Sequence, residues 1–132
     1  GNDQKYGNVY NGKAVCCEIC PTGWRIPEGE DWAQLQDFLG PRHATKMKTY
    51  QGWENSVVKG SNISGFSAQP TGYIEWTGMY EGEGSVTYFR VPTKSEPPFS
   101  HNFFLLGISL GEEILASAEN PGGLYTVRCV KD

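Results

Sequence analysis

A chain of 132 residues fits one domain, and at this size it buries about two thirds of the surface its unfolded form exposes, so no second independent core is expected. Eleven Lys and Arg against fifteen Asp and Glu leave a net charge of −4 with no basic stripe, which argues against nucleic acid as a partner. The longest apolar run, Phe103 to Leu110, is interrupted by Gly107 and Ser109 and falls far short of the ~20 residues of a membrane helix, so no transmembrane segment is expected.

The polar residues Asn2, Asp3, Gln4 and Lys5 follow a Gly1 of the kind a cleaved tag leaves, and residues 1–5 read as a flexible tether. Residues 6–15 offer a short strand, an Asn11-Gly12 turn and a second apolar step, which predicts a hairpin or a terminal strand. Next comes Cys20-Pro-Thr-Gly-Trp-Arg-Ile-Pro27, where Trp24 and Ile26 make an apolar step closed by proline. Trp32, Leu35, Phe38 and Leu39 then recur on one arc of a helix spanning 28–39. Trp24 and Trp32 flank this strand-to-helix turn and are expected in the core. Gly40-Pro41 supplies a left-handed stop and a helix breaker. Residues 43–50 predict a second, short helix with Ala44, Met47 and Tyr50 facing inward. Glu54 to Ser64 reads as loop, and its Asn62-Ile63-Ser64 triplet is too short a pattern to signify glycosylation by itself.

From Gly65 onward the pattern turns strand-like. Residues 65–68, 72–76, 85–91, 102–110, 113–118 and 125–130 are short runs rich in aromatic or branched side chains, separated by Gly, Pro and Asn. In the last run Tyr125, Val127 and Cys129 alternate with Thr126, Arg128 and Val130, which directs Cys129 toward the core. Two helices followed by a twisted, mostly antiparallel sheet make an α+β domain.

Chemistry-bearing residues are few. Cys16, Cys17, Cys20 and Cys129 allow three disulfide connectivities. A Cys16–Cys17 bridge is strained, because adjacent Cα atoms lie ~3.8 Å apart, below the usual disulfide range. A zinc site needs all four thiolates to converge, which adjacent cysteines rarely do, so no metal ligand is assigned. A cysteine nucleophile needs a neighbouring base, and His43 and His101 are each isolated in sequence. Glu28, Glu30 and Asp31 superficially offer the carboxylate pair of a glycosidase, but all three fall in the first helical turn, where negative charge complements the helix dipole. Arg25 is expected to hold a loop carbonyl or carboxylate. No catalytic residue and no cofactor are assigned.

The stretch 73–85 is different. Gly78, Gly82 and Gly84 make it flexible, yet it carries Trp76, Met79 and Tyr80, side chains suited to stacking on sugar rings or capping an apolar group. Trp76, Tyr80 and Glu75 are therefore the candidate ligand-binding residues. The competing reading folds Trp76 and Tyr80 back over a small satellite core. Glu75, Glu81 and Glu83 read as a solvated face rather than a cation site.

Cys20-Pro-Thr-Gly-Trp-Arg-Ile-Pro27, the following helix with Trp32 and Leu35, Gly65-Phe66-Ser67-Ala68 with Pro70 and Gly72-Tyr73, and the closing Val127-Arg128-Cys129-Val130-Lys131-Asp132 together resemble one family. It is the Fibrobacter succinogenes major paralogous domain, found in exported proteins and lipoproteins of Fibrobacter and Bacteroides-type bacteria. The likeness runs from Tyr6-Gly7 and Val9-Tyr10 to the end of the chain. That family is similar to the C-type lectin-like fold, in which the terminal strands pair, two helices flank and a long loop region carries ligands. The resemblance implies a single C-type lectin-like domain over 1–132, outside the cytoplasm, at the cell surface or held to the outer membrane by a lipid anchor upstream. It also implies a Cys20–Cys129 disulfide, since it places one cysteine where the helix starts and the other in the closing strand. Closing a loop of about 100 residues contributes ~4 to 5 kcal/mol in the chain-entropy account.

The chain departs from the family where a Trp-rich strand ending in Ser-Ser-Thr is usual, carrying Thr87-Tyr88-Phe89-Arg90-Val91-Pro92-Thr93-Lys94 instead, and the Cys16-Cys17 pair is a feature of its own. Calcium-dependent lectins need an acid in a Glu-Pro-Asn or Gln-Pro-Asp loop and a Trp-Asn-Asp strand. Gln69-Pro70-Thr71 lacks the acid and no Trp-Asn-Asp occurs, so no calcium site is expected. Formylglycine-generating enzymes share the lectin-like fold and a turn similar to Arg25 to Trp32, but their paired C-terminal cysteines are missing here. The function expected is a non-enzymatic binding or adhesion module for a glycan or a surface protein. The alternatives are a structural domain of an envelope assembly and, third, an enzyme of the formylglycine-generating type. Contiguous exposed aromatics favour the binding module.

Overall fold

A computed structural model describes residues 3–15, 19–54, 58–93, 103–118 and 122–132. Cys16, Cys17 and His101 lie outside the described residues. The chain starts with two single helical turns, α1 (Asp3–Tyr6) and α2 (Gly12–Val15), then strand β1 (Trp24–Arg25) and helices α3 (Gly29–Leu39) and α4 (His43–Met47). Strands β2 (Thr71–Ile74), β3 (Tyr80–Glu83), β4 (Thr87–Pro92), β5 (Phe103–Ile108), β6 (Leu115–Ala118) and β7 (Val130–Lys131) follow. Five of them form a mixed sheet in the order β3-β2-β4-β5-β6, parallel between β2 and β4 and antiparallel elsewhere. The first and last strands, β1 and β7, pair antiparallel in a sheet of their own. The architecture is α+β, and no helix among the described residues is long and apolar enough to cross a membrane.

The hairpin expected over 6–15 does not form. Tyr10 instead exchanges backbone hydrogen bonds with Tyr125, at 2.9 and 3.1 Å, and the chain after Asn11 winds into α2. A lone two-stranded hairpin is marginal in water, whereas pairing with Tyr125 fastens the N-terminal segment to the body of the protein.

Helix α3 begins with a reciprocal cap. The Asp31 carboxylate accepts the Glu28 N–H at 2.8 Å and the Glu28 side chain accepts the backbone N–H of Asp31. At the other end the Gly40 N–H reaches the Gln36 carbonyl at 2.9 Å, with Gly40 at a positive φ of 69°. Trp32 is 3% exposed and packs on Phe66 and Phe89, with ring centroids 5.8 and 5.2 Å away, and Leu35 and Leu39 join the same cluster. Phe38 breaks the expected arc and is 86% exposed. At 3.6 residues per turn Leu35 and Leu39 fall within about 60° of Trp32, whereas Phe38 lies about 120° away.

Ala44 and Met47 of α4 are fully buried, as their spacing requires, but the helix stops at Met47 and Tyr50, beyond it, is exposed. Lys48 is buried too. Its ammonium donates to the carbonyls of Ser109 at 3.1 Å and Gly111 at 2.8 Å, tying α4 to the turn after β5, and desolvation lowers its pKa. The core consists of Trp32, Ala44, Met47, Ala68, Phe89, Val91, Leu106 and Ile108, where α3 and α4 cover β4 and β5. Trp24 is not part of it. It is 45% exposed, because β1 is only two residues long, pairs with β7 alone and is exposed at both positions.

Cys20 and Cys129 are disulfide-bonded, with Cα atoms 5.9 Å apart across 109 residues of sequence. The closing strand expected over 125–130 is reduced to β7, preceded by isolated bridges from Leu124 to Ile74, Tyr125 to Tyr10 and Thr126 to Phe89. The segment changes partner at successive residues, so no ladder can propagate. Residues 65–68 likewise contribute only a bridge between Ala68 and Lys48.

Candidate functional site

The stretch expected to be a flexible loop is a hairpin. Ile74 pairs with Tyr80 and Tyr73 with Glu81, and the connection closes through Glu75 N–H to Met79 O and Gly78 N–H to Glu75 O, both 2.8 Å, with Gly78 at a φ of 87°. Gly72 is required where the hairpin joins the sheet. Its φ is 68°, and a Cβ there would lie 2.4 Å from the Glu81 carbonyl oxygen. Trp76 at the turn is 67% exposed and Met79 is also exposed, so the reading that buries the turn in a satellite core is overturned for Trp76. Met79 and Trp76 stand out from a backbone that both strands hold in place.

Beside this hairpin lies an open cleft of about 530 Å³ lined by Tyr6, Gly7, Asn8, Val9, Tyr10, Thr71, Ile74, Tyr80 and Thr126. Tyr80 contributes one wall, and its hydroxyl donates to the Thr71 carbonyl, which fixes the ring over β2. At the bottom the Thr71 hydroxyl meets those of Thr87 at 2.8 Å and Thr126 at 3.1 Å. The opposite wall is the N-terminal segment from Tyr6 to Tyr10. No lining residue carries an ionised side chain. The nearby charges, Lys5 and Glu83, form an exposed ion pair at 3.2 Å.

The N-terminal wall is held from below. Arg90, 1% exposed, donates to the Tyr10 carbonyl at 2.8 Å and the Gly123 carbonyl at 3.2 Å, with its guanidinium 5.0 Å from the Tyr125 ring centre and 5.4 Å from that of Phe103. Tyr125 in turn stacks on Tyr73 at 6.0 Å and meets Tyr88 edge-on at 6.2 Å. Thus β4 supplies the cation that positions one wall of the cleft.

Of the residues expected to bind, Tyr80 lines the cleft, whereas Trp76 and Glu75 sit at the turn outside its lining. Trp76 faces the 122–126 segment, with Gly122 close enough that a Cβ would lie 3.4 Å from the Trp76 Cβ. Tyr6, Tyr10, Thr71 and Thr126 were not anticipated. Tyr6 and Tyr10 are aromatic residues around a Gly-Asn step, the same signal that singled out Trp76 and Tyr80, but the Asn11-Gly12 pair draws the reading toward a hairpin.

Of the side chains weighed for catalysis that the structure describes, Asp31 and His43 are paired with other groups. Asp31 is gripped by both terminal nitrogens of Arg25, at 2.6 and 2.7 Å, and that guanidinium holds its pKa down to about 2. Arg25 also lies 3.5 Å from Asp132, joining the helix start to β7. His43 accepts the Ile114 N–H at Nε2 over 3.0 Å and approaches Glu113 through Nδ1 at 2.9 Å. Among the described residues no three His, Cys, Asp or Glu side chains gather as a metal site.

The family model of the Fibrobacter succinogenes major domain matches residues 1–131. The chain belongs to that family. Neither a curated protein nor a solved structure is found that matches it. In this Fibrobacter succinogenes major domain the Cys20–Cys129 bond and the β1–β7 pairing close the two ends of the chain on each other, leaving the β2–β3 hairpin and its cleft to the other sheet.

Proposed function

We propose that this domain is a non-enzymatic binding module of an extracytoplasmic surface, with a C-type lectin-like architecture, and that its cleft takes a neutral sugar ring of a glycan. The observation that carries the reading is the uncharged, tyrosine- and threonine-lined cleft placed next to an exposed Trp76 on a braced hairpin. Sugar rings present apolar C–H faces that stack on aromatic rings and hydroxyls that need partners at the edge. Tyr6, Tyr10 and Tyr80 offer the first and Asn8 and Thr126 the second. Trp76 and Glu75 at the turn extend the contact to a neighbouring residue of the glycan.

Paired terminal strands, two helices and a sheet whose hairpin carries the exposed aromatics all accord with the lectin-like assignment. The disulfide accords with an oxidising compartment outside the cytoplasm, at the cell surface or tethered to an outer membrane through an upstream lipid. A binding screen of the purified domain against neutral and acidic glycans and against surface proteins, with calcium and with chelator, tests the reading. Retention of neutral glycans independent of calcium is the expected result. Retention of surface proteins alone, or of nothing, would replace it with a protein-docking or a structural role.

A further inference from the structure

A second groove, of about 400 Å³, opens at the opposite junction, where α3 meets the β1–β7 pair. Its apolar wall is Trp24, Pro27, Leu35 and Phe66, and its charged side is Arg128 and Lys131. Trp24 is nearly half exposed and does not belong to the core cluster. Arg128 is held in position rather than mobile: its guanidinium lies 4.4 Å from the Phe66 ring centre and donates to the Phe66 carbonyl at 2.7 Å. The groove's single carboxylate, Asp31, is already taken by Arg25 in a two-bond pair and cannot neutralise Arg128. Desolvation lowers the Arg128 pKa. Trp32, buried along the same groove, has an indole N–H with no hydrogen-bond partner among the described residues.

In a chain of net charge −4, two cations beside an apolar wall, with the neighbouring acid silenced, are complementary to one chemistry. We propose that this groove binds the free C-terminus of a peptide whose last residue is apolar. In such a terminus the carboxylate and the apolar side chain leave the same carbon atom, so Arg128 and Lys131 hold the one while Trp24, Leu35 and Phe66 receive the other. The planar guanidinium, already fixed on Phe66, presents its remaining N–H groups for a paired contact with the carboxylate. An internal Asp or Glu brings a carboxylate without the apolar group, and an amidated terminus brings the apolar group without the charge. The site is separate from the cleft beside β2 and β3, so either can fail without the other.

The test is a titration of the intact, oxidised domain with N-acetyl-Ala-Phe as the free acid, its C-terminal amide, and phenylpropionate, followed by calorimetry and by chemical shifts of the Trp24 and Trp32 indoles, calorimetry serving for the variant without Trp24. The free acid is expected to bind at least tenfold more tightly than the amide, and more tightly than phenylpropionate. Arg128→Gln and, independently, the exposed Lys131→Gln should weaken the free acid and leave the amide unchanged. Trp24→Ala should lose the complex while melting as the parent does. Equal response to acid and amide, no response to either, or undiminished binding in both charge variants would overturn the proposal. Phenylpropionate binding as tightly as the peptide would overturn the peptide source in favour of a free small acid.

Discussion

Two tryptophans of similar sequence setting have opposite fates, and the difference is measurable. Trp32 is enclosed by Phe66 and Phe89, so Trp32→Ala leaves a cavity and should destabilise the fold by ~3 to 5 kcal/mol in a denaturant titration. Trp24 and Trp76 are exposed, and truncating either should change stability by ~0.5 kcal/mol or less. Asp31 gives a pH-dependent counterpart. Its carboxyl has an ordinary value of 3.8 and is held near 2 in the fold, so its contribution is fully present above 3.8 and is lost as pH falls through about 2. Asp31→Asn should therefore remove part of the acid limb of the stability profile. A variant whose stability falls as steeply between 3.8 and 2 as the parent's would contradict the Arg25 pairing.

At the scale of elements, the hairpin depends on Gly72, which combines a positive φ with a backbone oxygen where a Cβ would stand. Gly72→Ala should destabilise by more than ~1 kcal/mol, while Gly78→Ala, which meets no neighbouring atom at a comparable φ, should be milder; equal losses would refute the close-approach account. The elements themselves were legible unevenly. Helix α3 announces itself through the Trp32, Leu35 and Leu39 spacing, its acidic first turn and Gly40-Pro41, all of which are local signals. The same holds for Ala44 and Met47 in α4. What could not be read was anything fixed by a distant partner. Tyr10 prefers Tyr125 to a local hairpin, Lys48 is buried by carbonyls more than 60 residues away, and the 124–131 segment is divided among four partners. The candidate site shows the same division. Trp76 and Tyr80 stand out as aromatics on a glycine-rich stretch, whereas the wall made by residues 6–10 is held by distant partners, the Tyr125 backbone and the Arg90 guanidinium from β4.

At the scale of the whole molecule, the Cys20–Cys129 bond joins residues 109 apart and closes most of the chain into one loop. Replacing both cysteines by serine should lower stability by about 3 to 5 kcal/mol, the range expected when so long a loop is opened in the denatured state. A smaller loss would mean that the β1–β7 pairing and the Arg25 contacts to Asp31 and Asp132 hold the ends together unaided. The central claim is the proposed one, that the cleft beside the β2–β3 hairpin takes a ligand. The most direct test combines Trp76→Ala with Tyr80→Ala, which removes the exposed indole and the ring that walls the cleft, and measures thermal melting and glycan retention on the same preparation. The account predicts loss of glycan retention with a melting curve lowered only modestly, because Trp76 and Tyr80 are both exposed. Undiminished retention, or retention lost only in proportion to a collapsed melting curve, would contradict it.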